Sequence, residues 1–343
     1  MTEYTLNGHK MRFFNKRQWA VAVSKTANCQ LLLPTLISKL SPIVAHHTPV
    51  LLHESIDGLK INPEGVYVDL TFGSGGHSQE IFKKLKGGKL IAFDHDEETK
   101  QNSINDKRFV FVHGNFRFFK NFLLYLGFKK VHGVLADLGV SSHHFDKKER
   151  GFSFRSDGLL DMRMNKSAKL TAAYLVNNLT PEKLSKLFFE FGEIRNANQV
   201  AQLIVKTRNV KPIETTFDLC KALSQVTPKV NEHKFLAKVF QALRIEVNAE
   251  IEALKEMLTL TPEMILPGGR LVIITYHSLE DRLVKNFMRS GNFEGKVESD
   301  VFGNIHGVPF KVVNNKVIVP NENEINNNSR ARSAKLRIAE RND

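Results

Sequence analysis

Gly65-Val66-Tyr67-Val68-Asp69-Leu70-Thr71-Phe72-Gly73-Ser74-Gly75-Gly76-His77 is the stretch that decides the fold. Gly65–Thr71 is short, apolar and rich in β-formers, so it reads as a buried strand. The Gly73-Ser74-Gly75-Gly76 cluster is a turn, because glycine turns sharply at no side-chain cost. His77–Leu85 then reads as a helix closed by Gly87-Gly88. Upstream, Val50–Leu59 reads as a short amphipathic helix after Pro49. Downstream, Lys89–Phe93 is a second strand ending at Asp94, and Phe109–Val112 is a third, followed by His113-Gly114-Asn115-Phe116. Val131–Ala136 is a fourth, ending at Asp137. Strands alternating with helices at this spacing imply parallel βαβ units. Right-handed crossovers make them an open, doubly wound α/β sheet of Rossmann-like type.

The alternation stops for about a hundred residues, the length of a small domain. Leu170–Leu179, Pro181–Phe191, Asn198–Arg208, Thr216–Val226 and His233–Leu258 all carry helical periodicity. The α/β texture returns at Pro267-Gly268-Gly269, which launches a strand over Arg270–Tyr276. Ser278–Ser290 follows as a helix with Ser278 as N-cap and Asp281 in the capping-box position. Lys311–Val319 reads as a late strand and Asn321–Ser329 as a loop. A discontinuous sheet domain over 47–145 and 245–343 is therefore expected, with an inserted all-helical domain over 146–244. Residues 1–46 form a basic extension expected to be disordered.

Length and charge agree with that division. The 343 residues would make two domains at roughly 150 each. Two cysteines, Cys29 and Cys220, exclude a disulfide framework and point to a reducing compartment. No apolar run is long enough to span a bilayer. The formal charge is +13, but residues 1–46 hold six basic residues against Glu3, a net of +5, which leaves +8 for the rest. No acid occurs from Tyr4 to His53. With Ser24, Ser38, Ser41 and the run Leu31–Leu33, this arm has the texture of an organelle-targeting segment. A disordered basic arm, or translation beginning at Met11, accounts for it equally simply. A cytoplasmic location is expected, with an organellar one as the alternative.

The chemistry-bearing residues gather at the carboxyl ends of the strands, where an open α/β sheet forms its ligand crevice. Gly73, Gly75, Gly76 and His77 lie between a strand and a helix N-terminus. The G-x-G-G spacing differs from the G-x-G-x-x-G of pyrophosphate binders and suits a nucleoside. Asp94, eighteen residues after Gly76, stands where ribose hydroxyls would lie. A plain turn beside a solvated acid is the simpler alternative. A dehydrogenase would need the missing G-x-G-x-x-G, and a non-catalytic RNA-binding protein would not need the loop.

These residues belong to a longer series. Gly73–His77, Asp94, H-G-N-F (His113–Phe116), D-L-G-V-S-S (Asp137–Ser142), R-G-F-S-F (Arg150–Phe154) and L-D-M-R-M (Leu160–Met164) come first. F-G-E-I-R (Phe191–Arg195), F-Q-A-L-R-I-x-V-N (Phe240–Asn248), H-S-L-E-D-R (His277–Arg282) and R-A-R-S-A-K-L-R (Arg330–Arg337) follow. From His47 to Asp343 the series resembles the bacterial small-subunit (16S) ribosomal RNA (cytosine-N4)-methyltransferase family, the RsmH or MraW type. The resemblance implies a class I methyltransferase sheet, S-adenosyl-L-methionine as cofactor, and methylation of a cytidine amine in the decoding region. It places Gly75, Gly76 and His77 on the cofactor loop, Asp94 on the ribose, Phe116 beside the adenine and Asp137 on a further cofactor contact. His144 stands where the family commonly has Gln. Both can donate and accept a hydrogen bond, but His can also carry charge. The implied partner is the ribosomal RNA or the assembled small subunit, with a homodimer left open and no membrane involved.

A cytosine amine is a poor nucleophile, so an acceptor beside it would direct its lone pair and take its proton. Asp137 and His277 are the candidates; the alternative for His277 is a helix-start hydrogen bond. The D-P-P-Y pocket of other amino-methyltransferases is absent. Arg150, Arg163, Arg195, Arg208, Arg244, Lys186 and Lys206 are candidate phosphate contacts, and Phe152 and Phe154 candidate stacking platforms. Internal ion pairs with Asp157, Asp161 and Glu193 are the competing explanation for Arg150, Arg163 and Arg195. Arg330, Arg332, Lys335 and Arg337 divide between RNA contact and sheet packing.

Overall fold

The computed structural model describes residues 2–6, 9–13, 49–139, 147–299 and 305–343. His144 and the second half of D-L-G-V-S-S lie outside them. The chain begins with β1 (Thr2–Leu6) and β2 (His9–Phe13), then α1 (Leu52–Gly58), β3 (Val66–Asp69), α2 (Gly76–Lys84), β4 (Lys89–Asp94), β5 (Phe109–His113), α3 (Phe119–Tyr125) and β6 (Val131–Asp137). Helices α4 (Ala172–Asn178), α5 (Pro181–Gly192), α6 (Ala197–Arg208), α7 (Thr216–Ala222) and α8 (Glu232–Asn248) follow. The chain closes with α9 (Glu250–Met264), β7 (Ile265–Thr275), α10 (Ser278–Ser290), β8 (Glu298–Ser299), β9 (Ile305–His306), β10 (Phe310–Val312), α11 (Glu322–Asn327) and β11 (Lys335–Arg341).

The main sheet runs β10-β11-β7-β6-β3-β4-β5-β1-β2. Strands β7, β6, β3, β4 and β5 are mutually parallel, and β11 joins β7 antiparallel. Strand order advances from β3 to β5, then restarts at β6 on the other side of β3. That reversal opens a crevice above the carboxyl ends of β3 and β6. The strands are buried on both faces, as their apolar runs require. Val68, Ile91, Phe93, Val134 and Ile273 pack one face, while Tyr67, Leu90, Leu135, Val272 and Ile274 pack the other. A separate core, including Phe152, Leu160, Phe188, Val200, Ile204 and Leu243, is built from residues between Phe152 and Val247.

Five features differ from the sequence expectation. Within the arm expected to be disordered, β1 and β2 form an antiparallel pair, and β1 continues the sheet beyond β5. Alternating residues such as Tyr4 and Leu6 suit a strand, a signal that the arm's charge obscures. The helix expected over His233–Leu258 divides at Ala249, whose φ is +48°. The turn into this left-handed conformation costs about 1–2 kcal/mol. Asn248 beside it accepts from the Met164 N–H at 2.8 Å and donates to the Met162 carbonyl at 2.8 Å. β7 starts five residues before Arg270; Pro267-Gly268-Gly269 falls where the β6–β7 pairing shifts register, so it is a bulge within the strand. The expected late strand shrinks to β10, and β11 lies between β10 and β7. Asn321–Ser329 contains α11, capped by the Asn321 side chain. Among the described residues no helix is long and apolar enough to cross a membrane.

Candidate functional site

The glycine loop is shaped by the strand ends around it. Gly73 and Gly75 have φ of +53° and +82°, the left-handed region that glycine tolerates. Around Gly73 no atom lies within 4 Å of the position a Cβ would take, so the loop presents an open backbone face there. Gly76 starts α2 against the Pro49 ring, where a Cβ would sit 2.1 Å from Cγ. The first turn of α2 leaves main-chain N–H groups without helical partners and adds the positive end of its dipole. Asp69, 1% exposed, holds the loop from below. It accepts from Ser78 Oγ at 2.6 Å and from the Thr71 N–H at 3.1 Å. Burial pushes its carboxyl above the usual range.

Asp94 holds the loop from the side. It accepts from the Gly73 N–H at 2.7 Å and from the Asp96 N–H at 2.8 Å. Each carboxylate oxygen keeps a second lone pair for a ligand hydroxyl. Burial raises the Asp94 pKa to about 7 against the pull of these two donors. Phe116, half-buried, follows the next strand end in a short turn capped by Asn115 and packs against the sheet core. His77 is placed differently from a ring-donating ligand. Its Nε2 bonds the Val50 carbonyl at 3.1 Å, so Nδ1 carries the lone pair, and burial lowers its pKa. The His77 side chain is 6% exposed, so it reaches the loop chiefly through its main chain.

Asp137 stands at the end of β6, 23% exposed at its side chain. Its N–H donates to Thr71 Oγ1 at 2.6 Å, which ties β6 to the glycine loop. Its Oδ1 accepts from the Tyr276 hydroxyl at 2.8 Å, and its Oδ2 lies 3.8 Å from His77 Nδ1. Burial raises the Asp137 pKa to about 7, with the Tyr276 hydrogen bond pulling it down. Tyr276, just past β7, is itself raised well above the ordinary phenol by burial and by Asp137.

His277 is turned away from this group. It rather than Ser278 caps α10, its Nδ1 accepting from the Glu280 N–H at 3.4 Å. Its Nε2 lies 3.1 Å from Glu280 Oε1, off the line of a good hydrogen bond. Glu280 Oε2 accepts the Tyr276 N–H at 3.0 Å. Burial opposes ionisation of Glu280, yet His277 and Arg244 hold its pKa below the usual range. Glu250, His277 and Glu280 approach closely enough to suggest a cation site. Both Glu250 oxygens, however, accept from Arg244 at 2.9 Å, so the cluster is an internal ion-pair node. Sequence reasoning missed Thr71, Asp69, Tyr276 and Glu280, although all four stand inside or beside quoted motifs.

Most of the candidate RNA contacts are engaged within the protein. Arg163 forms a bidentate pair with Asp161, both bonds 2.7 Å. Arg150, 4% exposed, donates to the carbonyls of Arg163 and Met164 and lies 3.9 Å from Asp96, not beside Asp157. Arg208 donates to the carbonyls of Val176 and Leu179. Lys335 and Arg337 both meet Asp281. Phe152 is core, and Phe154 stacks on His233. Arg195, Lys186 and Lys206 remain exposed. Arg195 lines an open groove of about 530 Å³ with Phe189, Glu190, Glu193 and Arg282.

The chain is similar to several known proteins. A model of the MraW methylase family matches residues 44–342. Ribosomal RNA small subunit methyltransferase H of Bacteroides thetaiotaomicron is 57% identical, over 87% of this chain and 98% of that protein. Its namesake in Parabacteroides distasonis is 58% identical, over 86% and 97%. A solved rRNA methylase from Streptococcus thermophilus overlays with a TM-score of 0.39 at 12% identity, covering 85% of this chain and 96% of that one.

Proposed function

The chain belongs to the MraW methylase family, and from that membership we propose that it methylates N4 of a cytidine in the decoding region of small-subunit ribosomal RNA. The substrate class follows the printed names of relatives matched over nearly their whole length. The observation that carries the reading is the meeting of the Gly73–Gly76 loop, Asp94 and Asp137 at one strand-order reversal.

S-adenosyl-L-methionine, the cofactor, supplies a methyl group on a sulfonium, a leaving group good enough for a conjugated amine. The residues present fit it. The open backbone face at Gly73 leaves room for a ligand against the main chain. The N-terminus of α2 suits the amino-acid carboxylate. Asp94 offers acceptors to ribose hydroxyls, and Phe116 offers a flat apolar surface beside the adenine. Asp137, partly exposed and poised near neutrality, accepts an N4 proton of the cytidine and so directs the nitrogen lone pair. The base reaches the crevice from a single strand or by flipping. The exposed Arg195, Lys186 and Lys206 offer phosphate contacts on α5, α6 and their link.

The test is methyl transfer from labelled cofactor to unmodified small subunits and to naked ribosomal RNA, with the modified nucleoside mapped. Label on N4 of one cytidine is the expected product. Label on a ring carbon or a ribose, or competition by duplex DNA, overturns the reading.

A further inference from the structure

Asp137 does not stand alone at the end of β6, and its neighbour has no role in the function proposed above. The Tyr276 ring lies close against Gly139, two residues beyond Asp137. A Cβ at Gly139 would sit 3.1 Å from Tyr276 Cδ2, and Gly139 has φ of +123°, so glycine leaves both the turn and the space for that ring. The Tyr276 N–H is held by the buried carboxylate of Glu280, and its hydroxyl reaches Asp137 Oδ1 at 2.8 Å. The ring is thus held at its base by α10 and bounded at its side by Gly139. A hydroxyl so fixed has one acceptor, and that acceptor's other oxygen, Oδ2, faces His77 Nδ1 at 3.8 Å, beyond hydrogen-bond reach.

We propose that Tyr276 is a positioning residue for the methyl transfer: by occupying Oδ1 it fixes the Asp137 carboxylate so that Oδ2 receives the proton of the target amine. The inference rests on the N4 reading above. In the step it serves, the N4 lone pair forms the new carbon–nitrogen bond. The carbon–sulfur pair returns to sulfur, giving a neutral thioether, and one N4 proton passes to Asp137 Oδ2 and then to water. Tyr276 keeps its own proton throughout.

Four titratable groups face Asp137: Tyr276, His77, Glu280 and Asp69. Burial disfavours charge on His77, and Glu280 is held ionised. Removing the Tyr276 donor should therefore move Asp137 itself to higher pH, since that bond stabilises the carboxylate. The shift expected for one hydrogen bond to a charged group is about one pH unit.

The experiment uses Tyr276→Phe, which keeps the ring on Gly139, in the full-length enzyme. Infrared titration of labelled aspartate in cofactor-free protein identifies Asp137 as the band lost in Asp137→Asn. The expected result is that band, and the acid limb of kcat, both moved up by about one unit. With them, kcat should fall roughly 10-fold or more, while the Kd for S-adenosylhomocysteine stays within about twofold. A ring-fluorinated tyrosine at 276, with a more acidic hydroxyl and the same shape, should move the band the opposite way. An unmoved band with unchanged kcat overturns the proposal. So does a weakened Kd with unchanged kcat, which would make Asp137 a cofactor ligand only. A wild-type product other than N4-methylcytidine overturns the reading of the site instead, while the infrared shift still decides whether Tyr276 sets Asp137.

Discussion

Replacing Asp94 by alanine tests the cofactor crevice most directly, because the same carboxylate is asked to do two separable things. In the protein alone it accepts from Gly73 and Asp96 at 2.7 and 2.8 Å. A hydrogen bond to a charged group contributes about 1.5–3 kcal/mol, less where water can replace it. Both donors border an open crevice, so their loss in Asp94→Ala costs about 2 kcal/mol, offset at pH 8 because the burial that raises the Asp94 pKa to about 7 penalises its ionised form there. With ligand, the variant also loses the ribose hydrogen bonds proposed for this carboxylate. Two kcal/mol there is roughly a 30-fold increase in Kd. Asp94→Asn should recover little, since its amide nitrogen cannot accept from the second N–H. The assay pairs calorimetry with S-adenosylhomocysteine at pH 8 and urea unfolding without ligand. Wild-type affinity should also weaken as pH falls through about 7, where Asp94 takes its proton. A folded Asp94→Ala protein with Kd within about twofold of wild type would refute the ribose role.

Four further outcomes follow from an ion pair, an exposed arginine and two buried acids. Arg244→Leu leaves the partly buried Glu250 without its partner and should cost about 3 kcal/mol in urea unfolding; Arg195→Glu should leave stability unchanged but reduce the salt slope of RNA binding by about one. Glu280→Gln should destabilise by about 1–3 kcal/mol at pH 7. Because the folded pKa of Glu280 is lowered, that stability is present above the unfolded carboxyl pKa of about 4.3. It is lost as pH falls through the folded value. Asp137 is the opposite case: its folded pKa of about 7 lies above the unfolded value of about 3.9. Stability should therefore fall as pH rises between those limits. The ceiling is about 4 kcal/mol, reduced because the side chain is 23% exposed. Asp137→Asn should accordingly out-stabilise wild type at pH 8 but not at pH 5.

The parallel sheet was legible because its strands are buried on both faces and announce themselves as apolar runs between glycine turns. The crevice was legible for the same reason: Gly73, Asp94 and Asp137 all close such runs. What escaped was anything set by pairing across the sheet. Pro267-Gly268-Gly269 has the composition of a turn, and only the register shift against β6 shows it to be a bulge. The Lys335–Arg341 strand has the charge of an RNA-binding tail, yet Leu336, Ile338 and Ala339 are buried beside β7. Tyr276 escaped because its partner lies 139 residues away. No local pattern connects a residue before H-S-L-E-D-R to one opening D-L-G-V-S-S.

The charged motifs of the insertion carry a different lesson. Arg150 of R-G-F-S-F and Arg163 of L-D-M-R-M read as candidate phosphate contacts, with internal ion pairs as the competing explanation; the sequence assigns no role to the Asn that ends F-Q-A-L-R-I-x-V-N. In the structure they hold one another. Arg150 takes the carbonyls of Arg163 and Met164, Arg163 takes Asp161, and Asn248 takes Met162 and Met164. Met162 sits at φ +62° with its side chain fully buried, a backbone conformation a non-glycine residue keeps only when its surroundings enforce it. Lys147 and Lys166 then both reach Glu98, in the turn just after Asp94. An irregular segment with few backbone ladders of its own needs side chains to satisfy its carbonyls, and arginine, with five donors, can satisfy several at once. The motifs therefore fix the insertion against the strand end that carries Asp94. Of the candidate phosphate contacts, Arg195, Lys186 and Lys206 keep exposed side chains, so the RNA contacts proposed above are drawn from these.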